Sequence, residues 1–360
     1  MSGSSVATLE RWQSQIVAAC AGVILGATAT AADKDIPVDP GLDRYAKPQV
    51  RVAIEGGRHL NLLCEGRGSP TVILEAGAGG STLEWRRVQP IVAEVTRVCS
   101  YDRAGMGFSD PGPMPRTAEV VVADFESLLR VASIPPPYVL VSHSLGSYFV
   151  RLYADRHLND VAGLVLVDPS VEFQDRRFAD VNPGLLGELK KDRVNATECL
   201  RLARAGTLTA DLPIFKACTY GYSREPGFSE ALFRVQIERR RSVAFREALL
   251  SETDEMDADS QVLAAARRSY GDRPLIVLTQ SPETAADYPD LTPSQVDGMN
   301  RLWHTMHDEL AALSSRGVQR VVEGSGHYIQ KDRPAVVIEA IRQVVDESRG
   351  GRVESGGQPK

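Results

Sequence analysis

Four unbroken apolar runs constrain this chain more than anything else in it. Thr71-Val72-Ile73-Leu74, Tyr138-Val139-Leu140-Val141, Leu164-Val165-Leu166-Val167 and Leu275-Ile276-Val277-Leu278 show no alternation of apolar and polar residues. A strand with one wet face alternates, whereas a strand covered on both faces reads as a continuous apolar run. Between the runs lie segments with apolar spacing near three and four: Leu83 to Val95, Thr117 to Ala132, Leu145 to Arg156 and Ser294 to Ser314. Strands alternating with helices predict an α/β chain whose strands pair in parallel through right-handed crossovers. Arg97 to Tyr101 and Val318 to Val322 are weaker strands of the same set. Upstream, Gln49–Glu55 and His59–Cys64 flank Gly56-Gly57 and read as an antiparallel hairpin. The expected sheet therefore has eight strands, mostly parallel and flanked by helices.

From Ser170 to about Arg268 the alternation stops. The segment has helical pieces, many charges and no convincing strand, and it is far too long for a plain loop. We read it as a helical lid over the carboxyl ends of the strands. The resulting division is a leader at 1–31, an extension at 32–48, the first half of the core at 49–169, the lid at 170–268, the second half of the core at 269–349 and a polar, disordered tail at 350–360. The leader assignment rests on Arg11, the apolar small-residue run from Ile16 to Ala31 and the Ala29-Thr30-Ala31 ending, which together resemble a secretory signal peptide cleaved near Ala31. The expected location is then secreted or periplasmic. The competing reading is a buried N-terminal helix, since Glu10 offsets Arg11. Val17-Ala18-Ala19-Cys20 only loosely matches a lipoprotein box, with hardly any apolar stretch before it.

Cleavage would leave Cys64, Cys99, Cys199 and Cys218, which allow three pairings in an oxidising compartment; without export, four free thiols are expected. The net charge of −6 argues against nucleic-acid binding. Beyond the leader no apolar run approaches the roughly 20 residues of a membrane span.

Val139-Leu140-Val141-Ser142-His143-Ser144-Leu145-Gly146 carries the chemistry. A strand runs straight into Ser144 and a helix begins immediately after it. A turn that presents a hydroxyl this way is crowded, so the positions two before and two after must be small; here they are Ser142 and Gly146. Small-x-Ser-x-small arises by chance about once in a chain of this length, so its strand–turn–helix setting is what gives it weight. A serine nucleophile needs a base. Of the six histidines, His327 follows the last expected strand in Glu323-Gly324-Ser325-Gly326-His327, where glycines let a loop bring the imidazole onto the strand ends. His143 points away from the serine on such a turn, and His59, His157, His304 and His307 read as core or surface residues. The base needs an acid to orient it. Asp168 ends the Leu164–Val167 strand, 24 residues beyond Ser144, and is the preferred assignment; Glu283, Asp287 and Asp290, after Leu275–Thr279, are the alternative. Asp168 could instead cap a helix beginning at Pro169. Glu75-Ala76-Gly77-Ala78-Gly79-Gly80 follows a buried strand, and the N–H groups of Ala78 and Leu145 are the expected oxyanion donors. No phosphate loop is present, since no Gly-Lys-Ser/Thr follows.

Leu74–Gly80, Val98-Cys99-Ser100-Tyr101-Asp102-Arg103-Ala104-Gly105, Val141–Gly146, Leu164–Pro169 and Gly324–His327 together resemble the α/β-hydrolase superfamily, close to uncharacterised bacterial hydrolases. The matching pieces span about 50–170 and 270–347. Ser142 stands where the family usually has glycine, and Ala76 where many relatives carry histidine. The resemblance implies an α/β-hydrolase fold in which the second and fourth strands are neighbours, hence a Cys64–Cys99 cross-strand disulfide; a Cys199–Cys218 pair within the lid is the companion expectation.

The expected activity is hydrolysis of a small-molecule carboxylic ester-like bond through an acyl-enzyme, with no metal or cofactor. Rivals are a lactonase, amidase or aminopeptidase on the same residues, an epoxide or haloalkane hydrolase (disfavoured, since those relatives use an aspartate nucleophile), and a non-catalytic binding protein. Oligomeric state is open. Arg239-Arg240-Arg241 and Arg267-Arg268 read as a solvated helix face.

Overall fold

The sheet is built around the unbroken runs. In the computed structural model, which describes residues 38–219 and 224–350, the strands are β1 (Val50–Ala53), β2 (His59–Glu65), β3 (Thr71–Glu75), β4 (Val98–Tyr101), β5 (Tyr138–His143), β6 (Val161–Val167), β7 (Leu275–Gln280) and β8 (Gly317–Val322). They form one eight-stranded sheet in the order β1-β2-β4-β3-β5-β6-β7-β8. β2 runs antiparallel to both β1 and β4, and every other pair is parallel. The four runs become the central strands β3, β5, β6 and β7, covered on both faces, as their lack of alternation requires. One face packs on helices Ala118–Val131, Gly146–Arg156 and Pro293–Ala311, the other on Pro334–Gly350 and the segment around Trp85 and Val92.

Helix starts follow local chemistry. Thr117 caps Ala118–Val131 by accepting the Val120 N–H, and Thr292 with Gln295 forms a capping box ahead of Pro293–Ala311. The continuous helix expected over Leu83–Val95 is not found. That stretch is a 3-10 turn, Thr82–Trp85, followed by a single helical turn, Gln89–Val92. Pro90 lacks the N–H that would continue the ladder from Arg86, so the segment breaks there.

Between β6 and β7 the chain is helical: Gln174–Val181, Leu185–Arg204, Phe215–Cys218, Glu230–Arg240, Val243–Asp254 and Met256–Ala266. The extension contributes a 3-10 helix, Pro40–Ala46, whose buried Tyr45 packs with Leu83, Phe228 and Leu232 and so ties this segment to the insertion. Cys64 and Cys99 stand opposite each other in the β2–β4 register and are disulfide-bonded, as are Cys199 and Cys218 within the insertion. No helix among the described residues is long and apolar enough to cross a membrane. The leader at 1–31 and all of the tail beyond Gly350 lie outside the described residues.

Candidate active site

β5 delivers Ser144 into a turn with φ of 50°, a left-handed conformation rare outside glycine and asparagine. The turn is held by a Ser144 N–H bond to the Val167 carbonyl and by Ser170 N–H on the Ser144 carbonyl. Helix Gly146–Arg156 then begins with Leu145 at its N-cap. The crowding inferred for the elbow is real. A Cβ on Gly146 would sit 2.6 Å from the Ala76 carbonyl oxygen, and one on Gly77 would lie 3.2 Å from the Ser144 Cβ. Thus the loop after β3 rests directly on the serine turn. Neither the Ala78 nor the Leu145 N–H has an acceptor among the described residues, although both residues are buried.

β6 ends at Asp168, also at positive φ (42°) and buried. No helix starts at Pro169; the next begins at Gln174. The side chain turns instead towards the loop after β8, where Asp168 Oδ2 lies 2.6 Å from His327 Nδ1. Its other oxygen accepts from the Gln280 backbone N–H and from Trp303 Nε1, both at 3.0 Å. Burial alone would raise the Asp168 carboxyl; the His327 bond and charge outweigh it and hold the carboxyl below its usual range. With Nδ1 facing a carboxylate, a neutral ring carries its proton there and leaves Nε2 as a lone-pair acceptor. That Nε2 is buried and has no hydrogen-bond partner among the described residues.

The His327 loop is tightly held. Gly324 takes φ of 70°, Ser281 Oγ accepts from Gly324 N–H at 2.6 Å, and Asp332 accepts from Gly326 N–H at 2.9 Å. His143, buried beside Ser144, sets Nε2 3.0 Å from the His327 carbonyl oxygen and Nδ1 2.7 Å from Glu84 Oε1. It is thus a core histidine that joins the serine turn to the His327 loop. His307 is buried too: Nε2 faces the Pro169 carbonyl at 3.0 Å and Nδ1 faces Thr279 Oγ1 at 2.7 Å.

The alternative carboxylates have other hydrogen-bond partners or none among the described residues. Glu283 accepts from Gln280 Nε2 at 2.7 Å, and burial with Asp287 nearby pushes it up to about 7. Asp287 is bonded to Thr284, and Asp290 is exposed. Among the described residues, only Asp168 of the four makes a hydrogen bond with His327. Sequence reasoning did not find Trp303, which sits in an amphipathic helix with no motif around it, and gave no role to Arg103, which stands in the Val98–Gly105 match but whose contacts are all tertiary.

A strand order of 1-2-4-3-5-6-7-8 with this serine turn defines the class of the fold. The sequence model described as the alpha/beta hydrolase family matches residues 72–340, and the chain belongs to that family. Among curated proteins it is 37% identical over 107 residues to the uncharacterized protein YqjL of Bacillus subtilis, covering 30% of this chain and 42% of that one. It is 30% identical over 142 residues to an AB hydrolase superfamily protein of Gibberella zeae, covering 36% and 44%. Both matches span less than half the relative's length. Solved structures share the fold at low identity. The haloalkane dehalogenase DbeA of Bradyrhizobium elkani has a TM-score of 0.63 at 18% identity, covering 84% of this chain and 98% of that one. The enol-lactonase of Burkholderia xenovorans has 0.53 at 17%, covering 82% and 100%. A thermophilic esterase of Thermogutta terrifontis has 0.54 at 17%, covering 84% and 99%. The family and these neighbours support a hydrolase.

Proposed function

We propose that this protein is a serine hydrolase that cleaves a carboxylic ester-like bond in a small molecule through an acyl-enzyme. One observation carries the reading: a histidine with a buried carboxylate 2.6 Å from its Nδ1, its Nε2 without a hydrogen-bond partner among the described residues, on the loop that packs against the serine turn. In this scheme His327 Nε2 takes the hydroxyl proton as Ser144 Oγ bonds to the substrate carbonyl carbon. The carbonyl oxygen becomes an oxyanion and accepts from the N–H groups of Ala78 and Leu145. Collapse breaks the ester C–O bond, and the leaving alcohol takes the proton from His327. Water then repeats the sequence, giving up a proton to His327 and releasing the acid and free Ser144. Asp168 stays ionised and stabilises the imidazolium.

The esterase and lactonase among the fold neighbours are compatible with this chemistry, and a lactone differs only in keeping its alcohol tethered. We read residues 170–268 as the lid that shapes the substrate site. The two disulfides suit an oxidising compartment, in keeping with export.

The test is fluorophosphonate labelling of the purified protein with peptide mapping. The expected adduct is on Ser144, lost in Ser144→Ala together with turnover of simple esters. Ester turnover undiminished in a folded Ser144→Ala protein would overturn the assignment.

A further inference from the structure

The Arg103 guanidinium, only 2% exposed, makes an unusual set of contacts. It lies in the turn after β4, and Nη1 donates to the Ala76 carbonyl at 2.7 Å while Nη2 donates to the Gly77 carbonyl at 2.8 Å. Both acceptors belong to the loop that follows β3. The same guanidinium donates through Nε and Nη2 to the two oxygens of Glu252, at 3.0 and 2.9 Å, and through Nη1 to Glu75 at 2.5 Å. Glu252 sits on helix Val243–Asp254 of the insertion and is 1% exposed. A planar fork with five donors can serve all of these acceptors; an ammonium cannot.

In a trans peptide the C=O and N–H of one unit point in opposite directions. The Gly77 carbonyl and the Ala78 N–H share one unit. Drawing that carbonyl onto Arg103 therefore turns the Ala78 N–H away from Arg103, and this N–H has no acceptor among the described residues. On the other side of the loop, Gly77 is packed against Ser144. The insertion helix closes over the same elements: a Cβ on Gly79 would meet Phe245 at 3.1 Å, and one on Gly105 would meet Ala248 at 2.6 Å.

We infer that Arg103, aimed by Glu252 of the insertion, is a positioning residue that fixes the Gly77–Ala78 peptide with its N–H ready for the oxyanion. This rests on the serine-hydrolase reading. It makes the insertion part of the catalytic machinery as well as a cover. Because a donor held in place matters most once negative charge has developed, loss of the fork weakens the transition state more than the bound substrate.

Arg103→Lys and Glu252→Gln test the inference, the second keeping size and shape so that a folded protein is available if the first is too damaging. Fluorophosphonate titration counts competent sites in each, and kcat and KM for p-nitrophenyl acetate are taken per labelled site. An alkyl trifluoromethyl ketone, whose serine adduct carries an oxyanion, reports transition-state-like binding. The expected result is a kcat lower by about tenfold or more in Arg103→Lys, and by severalfold in Glu252→Gln, at a KM within about twofold, with ketone affinity falling in parallel. Folded variants whose kcat per labelled site and ketone affinity match the wild type would overturn the positioning role and leave the serine-hydrolase reading intact. A wild-type protein that takes no label and turns over no ester would overturn both.

Discussion

Asp168 divides its two carboxylate oxygens between a histidine and a tryptophan: Oδ2 faces His327 Nδ1 at 2.6 Å, and Oδ1 accepts from Trp303 Nε1 at 3.0 Å. A buried carboxylate with every contact a donor is stable as an anion, and an anion there favours both the tautomer and the positive charge that a histidine base needs. Replacing Asp168 by Asn should therefore lower ester turnover on the order of 10³–10⁴-fold. Glu283→Gln should stay within about threefold. Steady-state kinetics normalised to labelled serine separates the two, and a near-active, folded Asp168→Asn would mean that another group orients His327.

Trp303 contributes one charge-assisted bond and also stacks on Phe178, with ring centroids 5.6 Å apart. Trp303→Phe keeps an aromatic ring and removes the donor. A hydrogen bond to a charged group is worth about 1.5–3 kcal/mol, so kcat should drop about tenfold and KM should change little. An unchanged kcat would show that the Gln280 N–H and His327 suffice to hold the acid.

His307 is buried as a neutral ring, its Nε2–H donating to the Pro169 carbonyl and its Nδ1 accepting from Thr279, which in turn accepts from Gln319. Burial lowers its pKa to about 4 from an ordinary 6.5. The folded value lies below the unfolded one, so its stabilising contribution is complete above pH 6.5 and is lost as pH falls towards 4. The loss amounts to as much as about 3 kcal/mol. NMR titration of the ring should show it neutral at pH 5.5, and His307→Gln should remove this component from urea-unfolding energies compared at pH 7 and pH 4.5. A ring that titrates near 6.5 would refute the assignment.

The disulfides close sequence separations of 35 and 19 residues. On the chain-entropy account each stabilises by about 3–4 kcal/mol. Alkylation of the unreduced, denatured protein should modify none of Cys64, Cys99, Cys199 and Cys218. Cys199→Ser with Cys218→Ser should loosen the insertion, seen as faster amide exchange in Leu185–Arg204, while the sheet keeps its protection. Cys64→Ser with Cys99→Ser should lower the global unfolding energy.

Much of the frame was legible in the residues. Short, β-branched, continuous apolar runs fit strands covered on both faces, so β3, β5, β6 and β7 followed from hydrophobic patterning, and the parallel pairing between them from their alternation with helical segments. The serine turn was legible because its neighbours must be small, and the cysteine pairing because the resemblance placed β2 beside β4. The helix expected over Leu83–Val95 failed where a single proline outweighed a good apolar spacing.

What local pattern could not decide was which side chains meet across the strand ends. Asp168 and Glu283 both follow a sheet strand, and chain distance does not distinguish them. The fold does, because Asp168 leaves β6 at positive φ and turns towards the His327 loop, whereas Glu283 is bonded to Gln280. Trp303 and Glu252 belong to no motif and Arg103 only to the Val98–Gly105 match, which gave it no role; all three gain their contacts only when elements distant in sequence meet at the strand ends. The sequence alone determined the strands, the turns and the types of reactive group, since these depend on neighbours along the chain. Tertiary structure alone determined the pairings among those groups, because hydrogen bonds of about 3 Å depend on how separate elements are brought together in space.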